Sequence, residues 1–175
     1  SLHKFFGTTG FSECFSTRKV ELLQYMARRN CAGDTLTPAD PETYNRVRER
    51  LLEGTFRVSY ADGAIGYQEG LSRMANSGLY LLNVNGTQGC AAAEYLNEDS
   101  VLVKELIIPA PAMAGAAALL ARELRAVRYH LRTPPFWDGL PGSYLQAFGM
   151  VKWYNSELEA AWRNERKGYM GLGFD

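Results

Sequence analysis

Residues 79–96 read Leu79-Tyr80-Leu81-Leu82-Asn83-Val84-Asn85-Gly86-Thr87-Gln88-Gly89-Cys90-Ala91-Ala92-Ala93-Glu94-Tyr95-Leu96. An apolar run meets Asn-Gly, and an apolar run returns. Both central residues of a type I′ turn need positive φ, which Asn and Gly tolerate, and the twist of that turn matches the twist of paired strands. The stretch predicts a hairpin with strands over Leu79–Val84 and 87–96. Asn97-Glu98-Asp99 turns the chain again, and residues 100–108 form a third strand. That strand is apolar on both faces apart from Lys104 and Glu105, which face opposite ways, so it belongs in the middle of a sheet. Pro109-Ala110-Pro111 stops it.

Working outward, residues 113–125 are an Ala- and Leu-rich helix and 127–131 a strand with Val127, Tyr129 and Leu131 on one face. A Pro/Gly-rich loop covers 133–142. A helix near 156–166 leads to a final strand at 169–174. Upstream, Asp40-Pro41 is a helix start, an N-cap followed by the residue best suited to N1. Tyr44, Val47 and Leu51 repeat along that helix, and Gly54 ends it. Residues 56–60 read as a short strand or an extended link. Asp62 caps a second helix with Tyr67, Leu71 and Met74 on one face. Residues 35–37 read as a short strand. Residues 18–30 read as a helix from Val20, Leu23, Met26 and Ala27, with Arg28-Arg29 at its carboxyl end. A meander followed by a crossover helix and another strand is a mixed α/β (α+β) fold, with a mostly antiparallel sheet flanked by helices.

One short element occurs twice. Residues 5–16 and 144–155 both run aromatic, apolar, three residues, Gly, then a large apolar residue. Each reads as a helix end, a Gly C-cap and an emerging strand. If the unit closes a domain, residues 1–21 are the helix end and hairpin of a first domain. Residues 22–33 are then a linker helix, and 34–175 a second, whole domain.

The 175 residues, 46% of them hydrophobic, are enough to bury a core. Lys and Arg number 19, as do Asp and Glu, so charge gives no case for nucleic acid or an anionic membrane as partner. Cys14, Cys31 and Cys90 form no CxxC pair, which predicts neither a disulfide framework nor a zinc site and fits a reducing cytoplasm. There is no secretory signal and no apolar run long enough to span a bilayer. His3 and His130 stand in no triad or metal-ligand spacing.

The order of elements, the opening Leu36-Thr37-Pro38-Ala39-Asp40-Pro41-Glu42 and the segment Phe6-x-x-x-Gly10-Phe11 resemble the GCN5-related N-acetyltransferase superfamily. In that superfamily the last segment is commonly Tyr-x-x-x-Gly-Phe. Two such endings in one chain resemble the tandem acetyltransferases of the enhanced-intracellular-survival type, in which a catalytic first copy is joined to a degenerate second. The resemblance implies acetyl-CoA as cofactor of the intact protein and an amine as acceptor. It implies a pyrophosphate loop Arg/Gln-x-x-Gly-x-Gly/Ala, here Ala112-Met113-Ala114-Gly115-Ala116-Ala117. Ile107, Ile108, Met113, Gly115 and Ala117 are its candidate cofactor residues. Ala112 stands where Arg or Gln is expected, and Pro109 and Pro111 have no N–H to give a phosphate. Phe6 and Leu145 stand where the tyrosine acid is expected, and Tyr144 lies one residue away. Glu105 is the candidate general base.

These readings leave three functions open. The chain is the carboxyl-terminal part of an acetyltransferase and inactive alone, with a vestigial cofactor groove. It is a structural or dimerisation module without cofactor, pairing through the amino-terminal hairpin at 10–20. Or it is an active acetyltransferase using Glu105 as base.

Overall fold

The computed structural model describes residues 2–27, 31–163 and 167–173. In chain order its elements are α1 (Leu2–Thr8), β1 (Phe11–Leu23), a 3-10 turn (Gln24–Ala27), β2 (Thr35–Pro38), α2 (Pro41–Leu51) and α3 (Asp62–Met74). They continue with β3 (Leu79–Val84), β4 (Thr87–Asn97), β5 (Ser100–Ile107), α4 (Met113–Leu124), β6 (Arg128–Thr133), β7 (Tyr144–Lys152) and α5 (Ser156–Arg163). The predicted meander is β3-β4-β5. Asn85 and Gly86 take φ of 49° and 80°, and the Asn85 N–H donates to Asp34 at 2.9 Å.

All strands join one seven-stranded sheet in the order β2-β3-β4-β5-β6-β1-β7, which puts β5 fourth, at its centre. Only β5 and β6 run parallel; the other neighbours are antiparallel. Helix α4 covers one face, where Val101, Val103, Leu106 and Ile108 pack under Met113 to Leu124. Helices α2 and α3 cover the other through Tyr44, Val47 and Ile65, packed over Leu79, Cys90, Ala92 and Ile107. The mixed, mostly antiparallel sheet flanked by helices is the expected architecture.

Several local expectations are overturned. Residues 18–23 are strand, not helix, and 24–27 a 3-10 turn; residues 28–30, with Arg28 and Arg29, lie outside the described residues. The linker helix at 22–33 is therefore not formed over its described part, and 10–20 is not a hairpin. Residues 11–23 make one unbroken strand that pairs with β6 along Arg18–Leu23 and with β7 along Phe11–Lys19. Helical spacing of four apolar residues was outweighed by two long-range partners.

The repeated element is one structure only in its first copy, where α1 ends and Gly10 turns at φ 84° into β1. In the second copy residues 144–152 are strand throughout. A Cβ on Gly149 would press on Phe15 and Met170, so this glycine serves close packing, not a helix cap.

In α3 the buried face is Ile65, Gln68 and Ser72, while Tyr67 and Met74 face solvent. The polar face can be buried because Gln68 Nε2 donates to Glu94 at 2.7 Å and to Ser72 at 3.1 Å. Ala61, not Asp62, is the N-cap; Asp62 accepts from Asn45 Nδ2 at 2.8 Å. The tail makes two isolated bridges, at Gly168 and Tyr169, instead of a full strand. Residues 164–166, 174 and 175, to which the last helix and strand were expected to run, lie outside the described residues.

Candidate functional site

The site begins where the sheet opens. β5 and β6 pair from Ser100–Arg128 to Val103–Leu131 and no further, although β5 continues to Ile107 and β6 to Thr133. The parting coincides with a bulge in β5. Ala92 lies opposite Glu105 and Ala93 opposite Val103, so Lys104 is the extra residue. A bulge breaks the alternation of side chains. Lys104 and Glu105 consequently both reach the α2–α3 side, Lys104 to Glu94 at 3.5 Å and Glu105 to Arg48 at 2.9 Å. The expected opposite orientation is thereby corrected.

The loop after β6 leaves the sheet next to this opening. Trp137 packs against both hydrophobic clusters, which lie on opposite faces of the sheet. A side chain can touch both faces only at an edge, beyond the end of a strand or where neighbouring strands have parted. Leu140 is buried in the α4-side cluster. Phe136 sets its ring edge-on to Trp137 at 5.6 Å and to Tyr169 at 6.3 Å.

The residues expected to hold a cofactor are core residues here. Ile107 and Ile108 are fully buried, one in each cluster, and Met113 and Ala117 belong to the α4-side cluster. Gly115 faces β3: a Cβ there would lie 2.5 Å from Val84 Cγ1. The Ala112 N–H is spent on the Pro109 carbonyl at 2.9 Å, and Pro109 and Pro111 have none. The segment at 109–117 carries no basic side chain and its glycine is turned to the sheet, so a phosphate there would have only the first backbone N–H groups of α4.

Glu105 sits in a buried cluster. Its carboxylate accepts from the Tyr44 hydroxyl at 2.7 Å, Arg48 Nε at 2.9 Å and the Tyr169 hydroxyl at 3.0 Å. Glu105, Arg48, Tyr44 and Tyr169 are all 0% exposed. Burial, and next the Glu105 charge, push Tyr44 and Tyr169 well above the usual tyrosine range. Burial and the same charge raise the Cys90 thiol. Arg48 also donates to Glu49 at 2.9 Å and to the Val58 carbonyl at 3.1 Å. Its guanidinium stands 5.0 Å from the Tyr60 ring centre. Arg48 Nη2 is buried without a hydrogen-bond partner among the described residues.

The sequence singled out Glu105 but not Arg48, Tyr169 or Trp137. Arg48 had a signal: it follows Tyr44 by four residues on the apolar stripe of its helix, where a charge needs a buried counter-charge. The remaining candidates do not join the cluster. Tyr144 and Leu145 are exposed on β7, and Phe6 is exposed on α1. His130 lies 3.5 Å from Glu21 on the open side of β6 and β1. Cys14, Cys31 and Cys90 are buried, and no disulfide joins them. Among the described residues no helix is long and apolar enough to cross a membrane.

No protein-family model matches the chain, and no curated protein sequence matches it. Solved structures do. The GCN5-related N-acetyltransferase of Kribbella flavida superposes with a TM-score of 0.54 at 13% identity, over 81% of this chain and 39% of that one. A conserved protein of Enterococcus faecalis V583 gives 0.58 at 11% identity, over 84% and 42%. The GCN5-related N-acetyltransferase of Anabaena variabilis gives 0.56 at 12% identity, over 86% and 42%. The chain thus has the fold of GCN5-related N-acetyltransferases and spans about two fifths of the length of these proteins.

Proposed function

We propose that this chain is the degenerate second copy of a tandem acyl-CoA-dependent N-acetyltransferase and performs no acetyl transfer by itself. One observation carries the reading: Trp137, on the loop that follows β6, packs against the hydrophobic clusters on both faces of the sheet. The segment at 109–117, with its prolines and its sheet-facing glycine, supports it. In this reading Glu105 anchors Arg48 and two tyrosines instead of taking a proton from an amine. Its carboxylate already accepts from three donors and is fully buried. The intact protein would move an acetyl group from acetyl-CoA to an amine, with cofactor chemistry residing in the other copy.

Calorimetric titration of the chain with acetyl-CoA tests the reading. No saturable heat is expected, and micromolar binding would overturn it.

A second reading, self-association, is favoured by the exposed outer strand. β1 pairs with β7 along Phe11–Lys19 and with β6 only from Arg18 onward; β7 is the outermost strand, and its residues 144–147 are exposed. Unpaired strand edges template pairing with another chain. Light scattering decides this: a strict monomer removes the β7-edge dimer.

A further inference from the structure

Residues 168–173 are held the way a bound peptide is held. The Gly168 N–H donates to the Cys14 carbonyl at 2.7 Å, and the Gly168 carbonyl accepts from the Ser16 N–H at 2.9 Å. One residue on, the Tyr169 N–H donates to the Phe56 carbonyl at 2.9 Å, and its carbonyl accepts from the Val58 N–H at 3.0 Å. The segment is therefore slotted between β1 on one side and the α2–α3 connection on the other, with a single bridge to each. The Tyr60 hydroxyl stands 3.0 Å from both the Met170 and the Leu172 carbonyls and can donate to either.

Side chains and glycines along the segment have separate tasks. The Tyr169 ring and Leu172 are buried in the α2–α3-side core. A Cβ on Gly168 would lie 2.5 Å from Phe56 Cδ1. Gly171 has φ 77°, and a Cβ there would meet Glu105 and come within 2.6 Å of Arg48 Nη2. That nitrogen is the buried donor without a partner, and it lies against the segment's backbone. Main-chain bonds that give affinity, with side-chain pockets that give specificity, are the physics of extended-peptide recognition.

We propose that the groove between β1, residues 56–60 and α2 is a recognition site for extended segments reading Gly-Tyr-x-Gly-Leu, and that residues 168–173 are its resident ligand. The inference stands apart from the proposed loss of cofactor binding. A segment of the same pattern supplied by another chain exchanges with the resident one.

The test uses the full chain carrying Tyr169→Ala, which empties the ring's pocket, titrated with fluorescently labelled Gly-Tyr-Met-Gly-Leu-Gly and read by anisotropy. Saturable binding is expected, roughly tenfold or more tighter than to the unaltered chain, whose groove is filled. Replacing the peptide's Tyr by Phe removes the hydrogen bond to Glu105 and should weaken binding by about tenfold or more. A natively folded variant that binds no peptide, or binds a scrambled peptide equally well, overturns the proposal. If the variant does not fold, hydrogen exchange of the unaltered chain decides. The Ser16, Val58, Gly168 and Tyr169 amides should exchange together, faster than those of β4 and β5. Exchange as slow as in β4 and β5 would make the segment an ordinary part of the core and sink the proposal.

Discussion

Arg48 Nε lies 2.9 Å from Glu105 Oε1, and neither side chain is exposed. Removing one partner of such a pair leaves a charge in a dry interior. Arg48→Ala is expected to cost about 3–5 kcal/mol of folding stability. An apolar replacement of both, Arg48→Met with Glu105→Leu, should recover most of that loss. Urea unfolding of the single and double variants measures the difference, and a double variant no better than Arg48→Ala would refute the account.

The tyrosines around Glu105 make stability depend on alkaline pH. An unfolded tyrosine ionises near pH ~10, whereas buried Tyr44 and Tyr169 hold their protons well above that. Above about pH 10 the native state therefore binds more protons than the unfolded state, and stability falls as pH rises. Below it both states are protonated and the contribution is intact. Tyr44→Phe should make the alkaline decline shallower, by up to about 1.4 kcal/mol per pH unit. Denaturation midpoints between neutral pH and the alkaline limb give the slopes.

Gly115 tests whether the α4 start packs on the sheet or leaves room for a ligand. Gly115→Ala places a Cβ 2.5 Å from Val84 Cγ1, an overpacking expected to cost about 1–3 kcal/mol. Val84→Ala removes the obstacle, so the double variant should be more stable than the sum of the two single effects predicts. Additive losses in thermal unfolding would show that the helix shifts freely there.

A chain shortened to residues 34–175 should not unfold cooperatively. β7 loses its paired neighbour and β6 loses one of two. Circular dichroism during heating reports this; a sharp transition like that of the whole chain would show that β1 is dispensable.

The elements readable in the sequence are those whose cause is local. Asn85-Gly86 decides a turn by its own φ preference, and Asp40 caps α2 by accepting the Thr43 N–H at 2.8 Å. β1 was not readable, because its cause lies elsewhere in the chain: Val20 pairs with Leu131, more than a hundred residues away. The α3 face was misassigned because hydrophobicity does not foresee that Gln68 finds Glu94 and Ser72. In the site, Glu105 was visible as a charge in an apolar strand. Its partner on α2, its cover from 168–173 and the packing of Trp137 against both clusters arise only when distant segments meet.

The position of β1 also constrains how the molecule is assembled. It is the earliest strand in the chain, yet its place lies between β6 and β7, the two latest. During synthesis its 13 residues must wait for β6, complete at residue 133, and for β7, complete at residue 152. Contacts of such long sequence separation slow folding, since loop closure is costly before they form. The waiting strand also carries Phe11, Phe15 and Val20, the kind of segment that captures another nascent chain. Refolding yield should therefore be more sensitive to protein concentration than the stability of the finished fold would indicate.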